Sequence, residues 1–268
     1  MPTVPGFLPT RNGLRFANVW PSEPAIELSV PGIGTVGIGN AGNGLCGGMV
    51  FTVRDVFQAG LPPLEDPRPP RGSPLFAYIV RRLIDSFNLP GGVLKYFEWM
   101  NTADGDTDLW MVTRRGVAWR TIRREWPLVR KDLDDGLLCP LGLVTARSSN
   151  PMDLGRNHQA LAYGYELAGE QLTLHVYDPN SEPARGDGVF LRMRMDEPTA
   201  AAPIEHNVGI ADPIRGFFRV DYAFRDPSAL RAPVSRRGQF PGGARGGARR
   251  DGVTGGGEEA PDTPQAAS

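Results

Sequence analysis

Gly42-Asn43-Gly44-Leu45-Cys46-Gly47-Gly48-Met49, running into Val50 to Ala59, is the stretch from which the rest of the chain is read. Met49, Val50, Val53, Val56 and Phe57 recur at helical spacing on one stripe, and Gly60 and Pro62 are stop signals, so this stretch predicts an amphipathic helix. Cys46 then stands where the helix begins. Unpaired N–H groups and the positive end of the helix dipole favour thiolate over thiol there, which makes a nucleophile. Gly47 and Gly48 each cost roughly 1 kcal/mol relative to Ala in a helix interior. A first turn that accepts both is one that another backbone, or a substrate, approaches closely.

What surrounds this cysteine is bounded by composition. The chain has 268 residues, 40% hydrophobic and 22% charged, with a formal net charge of −1, which fits one globular domain plus an extra segment and gives the folded part no reason to seek a polyanion. Two cysteines imply no disulfide framework, and Met1 to Gly13 carries neither the basic start nor the apolar run of a signal peptide. No apolar run is long enough to span a membrane. These features lead us to expect a reduced, cytoplasmic thiol and no membrane partner.

Residues 1–13 read as an extended N-terminal arm, Leu14 to Trp20 and Ala25 to Val30 as short strands, and Pro31 to Gly44 as a glycine-rich loop approaching Cys46. That loop has no lysine followed by Ser/Thr where a phosphate-binding motif needs one. Helices are expected over Leu75 to Phe87, Val93 to about Asn101, and Thr121 to Asp135, where Ile122, Trp126, Val129 and Leu133 form a stripe. Asp104-Gly105-Asp106-Thr107-Asp108 lacks the frame of a calcium loop and reads as the N-terminal turn of a helix. After Gly136 the pattern changes. Leu137 to Val144 is continuously apolar, as for a strand covered on both faces, and Cys139 within it reads as an inert buried hydrophobe.

Asn157 to Tyr165 then forms a strand opened by His158, Gly169-Glu170 a turn, and Gln171 to Tyr177 a second strand ending in Asp178-Pro179-Asn180. Leu172, Leu174, Val176 and Asp178 share one parity, so Asp178 ends the core-facing side while His175 points the other way. In an antiparallel hairpin the start of the first strand lies beside the end of the second. His158 therefore meets Asp178 or Asn180, either of which can fix its tautomer.

Cys46, His158 and then Asp178 or Asn180, in that order, resemble the papain-like cysteine peptidases, in particular the bacterial branch similar to bacteriocin-leader-processing peptidases. The resemblance covers roughly residues 36–182. It implies an α+β fold with N-terminal helices, the nucleophile helix packed on a C-terminal antiparallel sheet, and a cysteine hydrolase acting on a peptide or amide substrate. It also implies an oxyanion-binding amide side chain shortly before the cysteine. Asn40 holds that place here, where the family usually has glutamine, with Asn43 as its understudy. Arylamine N-acetyltransferases and transglutaminases share the residue order, so acyl transfer competes with hydrolysis. A non-catalytic binding module on the same scaffold is the rival from another class.

Residues 14–226 are thus read as the papain-like domain. Gly186 to Met195 and Gly216 to Phe224 supply further strands, and Pro203 to Pro213 a connection carrying His206. No cofactor is implied, and a zinc site from His158, His175 and His206 lacks any ligand-pair spacing. Residues 227–268 hold few apolar side chains, first arginines among glycines and then Glu258, Glu259 and Asp262, and are read as a disordered tail rather than a nucleic-acid arm because no aromatics interleave the arginines.

Overall fold

The computed structural model describes residues 3–20, 26–30, 34–38, 44–88 and 91–231. In order, its elements are α1 (Pro9–Asn12), β1 (Ile26–Val30), β2 (Gly34–Ile38), α2 (Cys46–Gln58), α3 (Pro74–Ser86), α4 (Gly91–Met100), β3 (Thr107–Leu109), β4 (Val112–Arg114) and α5 (Val117–Trp119). A π-helical stretch Arg120–Glu125 joins α5 to α6 (Trp126–Asp134), and the strands β5 (Cys139–Val144), β6 (His158–Ala168), β7 (Gln171–Tyr177), β8 (Phe190–Arg194), β9 (Glu205–His206) and β10 (Gly216–Arg219) follow. This is an α+β protein. Its main sheet is six-stranded and antiparallel, in the order β10-β5-β6-β7-β8-β9.

Between β10 and β6 in this sheet lies β5, whose six residues are all buried, as the continuous apolar run requires. On it packs α2, which also lies along α3. The α2–α3 crossing explains the paired glycines. A Cβ on Gly48 would sit 2.1 Å from the Ile79 carbonyl oxygen of α3, and one on Gly47 would sit 2.3 Å from Ser86 Oγ, so only hydrogen lets the helices approach this far. The close approach is by another backbone at Gly48 and by the Ser86 and Gln159 side chains at Gly47.

A second device locks the same helices to the end of the domain. Asp55 of α2, with none of its side chain exposed, lies 2.7 Å from Arg82 Nε of α3 and accepts hydrogen bonds from Tyr222 Oη at 2.6 Å, Tyr78 Oη at 2.9 Å and the Arg225 amide at 3.1 Å. Arg82 also donates to the Ala223 carbonyl at 2.8 Å. Residues 222–225 have no regular ladder, and this buried pair anchors them.

Several expectations are corrected. Residues 3–13 are not extended throughout, since Pro9 opens α1, and they pack on the domain: Val4 donates to the Tyr163 carbonyl at 2.7 Å and Phe7 lies between Phe57 of α2 and Tyr163 of β6. Leu14 to Trp20 is irregular rather than a strand, because Phe16 and Trp20 turn inward to stack with each other and with Phe76 while Asn18 spends its polar groups on neighbouring turns. The Pro31 to Gly44 loop contains β2, paired in register with β1 from Ile26–Ile38 to Val30–Gly34. Asp104 to Asp108 leads into the β3–β4 hairpin instead of a helical turn, and Asp106 accepts from the Gly116 amide at 2.8 Å just before α5.

The expected helix over Thr121 to Asp135 is present, but it starts earlier and is π-wound in the middle. Pro127 has no N–H to give, and Trp126 donates back to Thr121. The strand expected over Gly186 to Met195 begins as a 3₁₀ turn (Pro183–Gly188), and the last strand stops at Arg219. The compact unit extends past 226 to the end of the described residues at Arg231. Ser228–Arg231 forms a 3₁₀ turn, and Arg231 donates to the Pro62 and Pro63 carbonyls. The remainder of the expected tail lies outside the described residues. Among the described residues no helix is long and apolar enough to cross a membrane.

Candidate active site

Cys46 is the first residue of α2, and no side chain caps that helix, so the first-turn amides and the dipole they sum to are directed at the thiol. The cysteine is partly exposed, whereas Cys139 is fully buried, with its thiol pushed well above the usual range by burial. One cysteine is reachable and the other is packing.

His158 opens β6, opposite Leu143 of β5, and is 4% exposed. Its Nε2 lies 2.6 Å from Asp178 Oδ1, just past the end of β7, which leaves Nδ1 as the ring nitrogen for Cys46, whose charge acts on the imidazole. Of the two candidates that the hairpin reading left open, the structure thus puts the aspartate on the imidazole. Asn180 does not reach the imidazole: its side chain accepts from Asn18 Nδ2 at 2.9 Å and donates to the Gly209 carbonyl at 3.2 Å. β6 and β7 shift register between Ala162 and Gly164, so the strands' far ends are not related by simple counting from the turn. The pairing of His158 with Asp178 nevertheless survives because both lie beyond the bulge, at the same end of the sheet.

Asp178 is held as an anion. It accepts from Gly209 N–H and Ser181 Oγ at Oδ2, both at 2.7 Å, and from Asn180 N–H at Oδ1 at 3.1 Å. Burial works against its ionisation, but His158 and these donors outweigh it and hold the carboxyl down at about 2. Burial likewise disfavours the charged imidazole, yet the Cys46 and Asp178 charges prevail and raise His158 to about 10. Behind the histidine, Tyr96 Oη donates to the His158 carbonyl at 3.1 Å, and burial keeps that phenol protonated.

These shifts have opposite pH signatures. The raised His158 contributes stability in full below its unfolded value of about 6.5 and loses it as pH climbs towards about 10. The depressed Asp178 contributes in full above about 3.9 and loses it as pH falls through about 2. The pair is therefore most stabilising between about pH 4 and 6.5. Thermal melts at pH 6 and pH 9.5 should show a larger alkaline loss for the native protein than for Asp178→Asn, which removes the charge that raises His158; parallel losses would contradict the assignment.

Of the other expected residues, Asn40 and Asn43 lie outside the described residues. His175 is on the opposite face, where Nε2 meets Glu166 at 3.1 Å, and His206 sits on the edge strand β9. Sequence reading missed Ser181, Gly209, Tyr96 and Asn18. Ser181 and Gly209 support Asp178 from turns, with no periodicity to announce them. No protein-family model, curated protein or solved structure gives a significant match to this chain.

Proposed function

We propose that this chain is a cysteine-dependent hydrolase of papain-like arrangement, cleaving a peptide or other amide. The observation that carries the reading is the buried His158–Asp178 pair, 2.6 Å apart, whose imidazole is acted on by the charge of Cys46 at the uncapped start of α2. In this reading the proton resides on His158, leaving Cys46 a thiolate. Sγ attacks the carbonyl carbon, and the oxygen's developing charge faces the Cys46 amide, with Asn40 or Asn43 as the expected side-chain donor. The C–N bond breaks as Nδ1 of His158 protonates the leaving amine, giving a thioester. Neutral His158 then takes a proton from water, whose oxygen attacks the thioester and releases the acid and Cys46. Asp178 keeps the ring oriented and favours its charged form throughout.

Alkylation tests this before any substrate is known. At pH 6.5 a thiol of pKa about 8.5 is only about 1% thiolate, so Cys46 should react with iodoacetamide far faster than a free cysteine, and His158→Ala should restore the ordinary rate. Cys139, being buried, does not confuse the readout. An ordinary rate for the native protein would favour the non-catalytic binding module instead.

A further inference from the structure

Asn18 lies in an irregular segment far from Cys46 in sequence, yet it ties together the two turns on which the site depends. Its Oδ1 accepts from the Leu45 amide at 2.8 Å and from Trp20 Nε1 at 2.6 Å, fixing the residue immediately before Cys46. Its Nδ2 donates to Asn180 Oδ1 at 2.9 Å, and its own amide donates to the Pro179 carbonyl at 2.8 Å, fixing the turn immediately after Asp178. Asn180 continues the series, since its amide donates to Asp178 Oδ1 and its side chain to Gly209, whose amide donates to Asp178 Oδ2. Gly44 makes room for this: a Cβ there would lie 2.2 Å from Asn18 Nδ2. A side-chain amide puts its acceptor and its donors on separate atoms, so each turn is met by an atom of its own.

We infer that Asn18 is a positioning residue that, through Asn180, holds the turn carrying Cys46 at a set distance from the turn carrying Asp178, and so sets the strength of the Cys46–His158 pair. The inference rests on the hydrolase reading above. Its physical basis is that β6 and β7 place His158 and Asp178 together through the sheet, whereas Cys46 arrives on a different layer. The ion pair spans that junction, and its energy falls with separation. The Asn18–Asn180 bond is a side-chain link across the same junction, beside the backbone bond from Asn18 to Pro179.

The test measures iodoacetamide alkylation of Cys46 in the full chain from pH 5 to 9, with melting temperatures recorded in parallel, for the native protein, Asn18→Ala, Asn180→Ala and the double variant. Asn180→Ala removes the side-chain bond alone, leaving the Asn18 bonds to Leu45 and Trp20 and its backbone bond to Pro179, so it serves even where Asn18→Ala folds poorly. The expected result is a rise of about one unit in the pH of half-maximal alkylation for either single variant, about a tenfold slower reaction at pH 6. The double variant should be no worse than the worse single one, as for two residues that act through one contact. Lower melting temperatures with a superimposable pH profile would overturn the inference and leave the hydrolase reading standing, because the role would then be structural only. A native profile centred on the ordinary thiol value would remove the hydrolase reading and the inference with it.

Discussion

Replacing Cys46 by alanine should lower turnover of an amide substrate by roughly four orders of magnitude while moving the melting temperature by no more than a few degrees. The size follows from the covalent route: without sulfur there is no thioester, and what remains is binding and any oxyanion stabilisation, the residue of catalysis left when a nucleophile is deleted. The small thermal effect follows from the partial exposure of Cys46, which leaves little buried contact to lose. His158→Ala should behave differently. It too should abolish turnover, but it strips the fully buried Asp178 side chain of its cation, and an uncompensated buried charge costs about 3–5 kcal/mol. Activity assays and melting curves on the two variants together separate a working site from a structural one. Residual turnover near the native level in Cys46→Ala would end the covalent mechanism.

Asp55→Ala should damage the fold as much as His158→Ala does. The substitution leaves Arg82, 2% exposed, with the partly exposed Asp85 at 2.7 Å as its remaining carboxylate and a void on the buried side, and releases Tyr78, Tyr222 and the Arg225 amide at one stroke. Burial pushes the Asp55 carboxyl upward in pKa, so the site is costly to ionise and is sustained by those donors. Removing one member of a buried pair costs about 3–5 kcal/mol, which for a domain of this size is a fall of roughly 10 °C in melting temperature. Denaturant unfolding provides the check, and a loss below about 1 kcal/mol would show that the network is not what holds residues 222–225 to α2 and α3.

The sequence by itself determined the elements whose signals are local. The stripe from Met49 to Phe57 specifies α2, the apolar run before Val144 specifies β5, and alternation about the Gly169-Glu170 turn specifies the β6–β7 hairpin. From that hairpin followed the meeting of His158 with the group after β7, since antiparallel pairing alone brings those ends together. β2 was illegible because a strand of Gly34, Thr35, Val36, Gly37 and Ile38 forms through backbone pairing that glycine neither favours nor advertises. Leu14 to Trp20 alternated like a strand but found no partner edge.

Tertiary structure alone decided the rest. It chose Asp178 over Asn180 by giving Asn180 other partners, seated the first residues against β6, and brought Asn18 and Asp55 to partners more than a hundred residues away. Such contacts leave no periodicity in the chain, because a hydrogen bond between turns depends on how layers pack and not on the spacing of residues within either one.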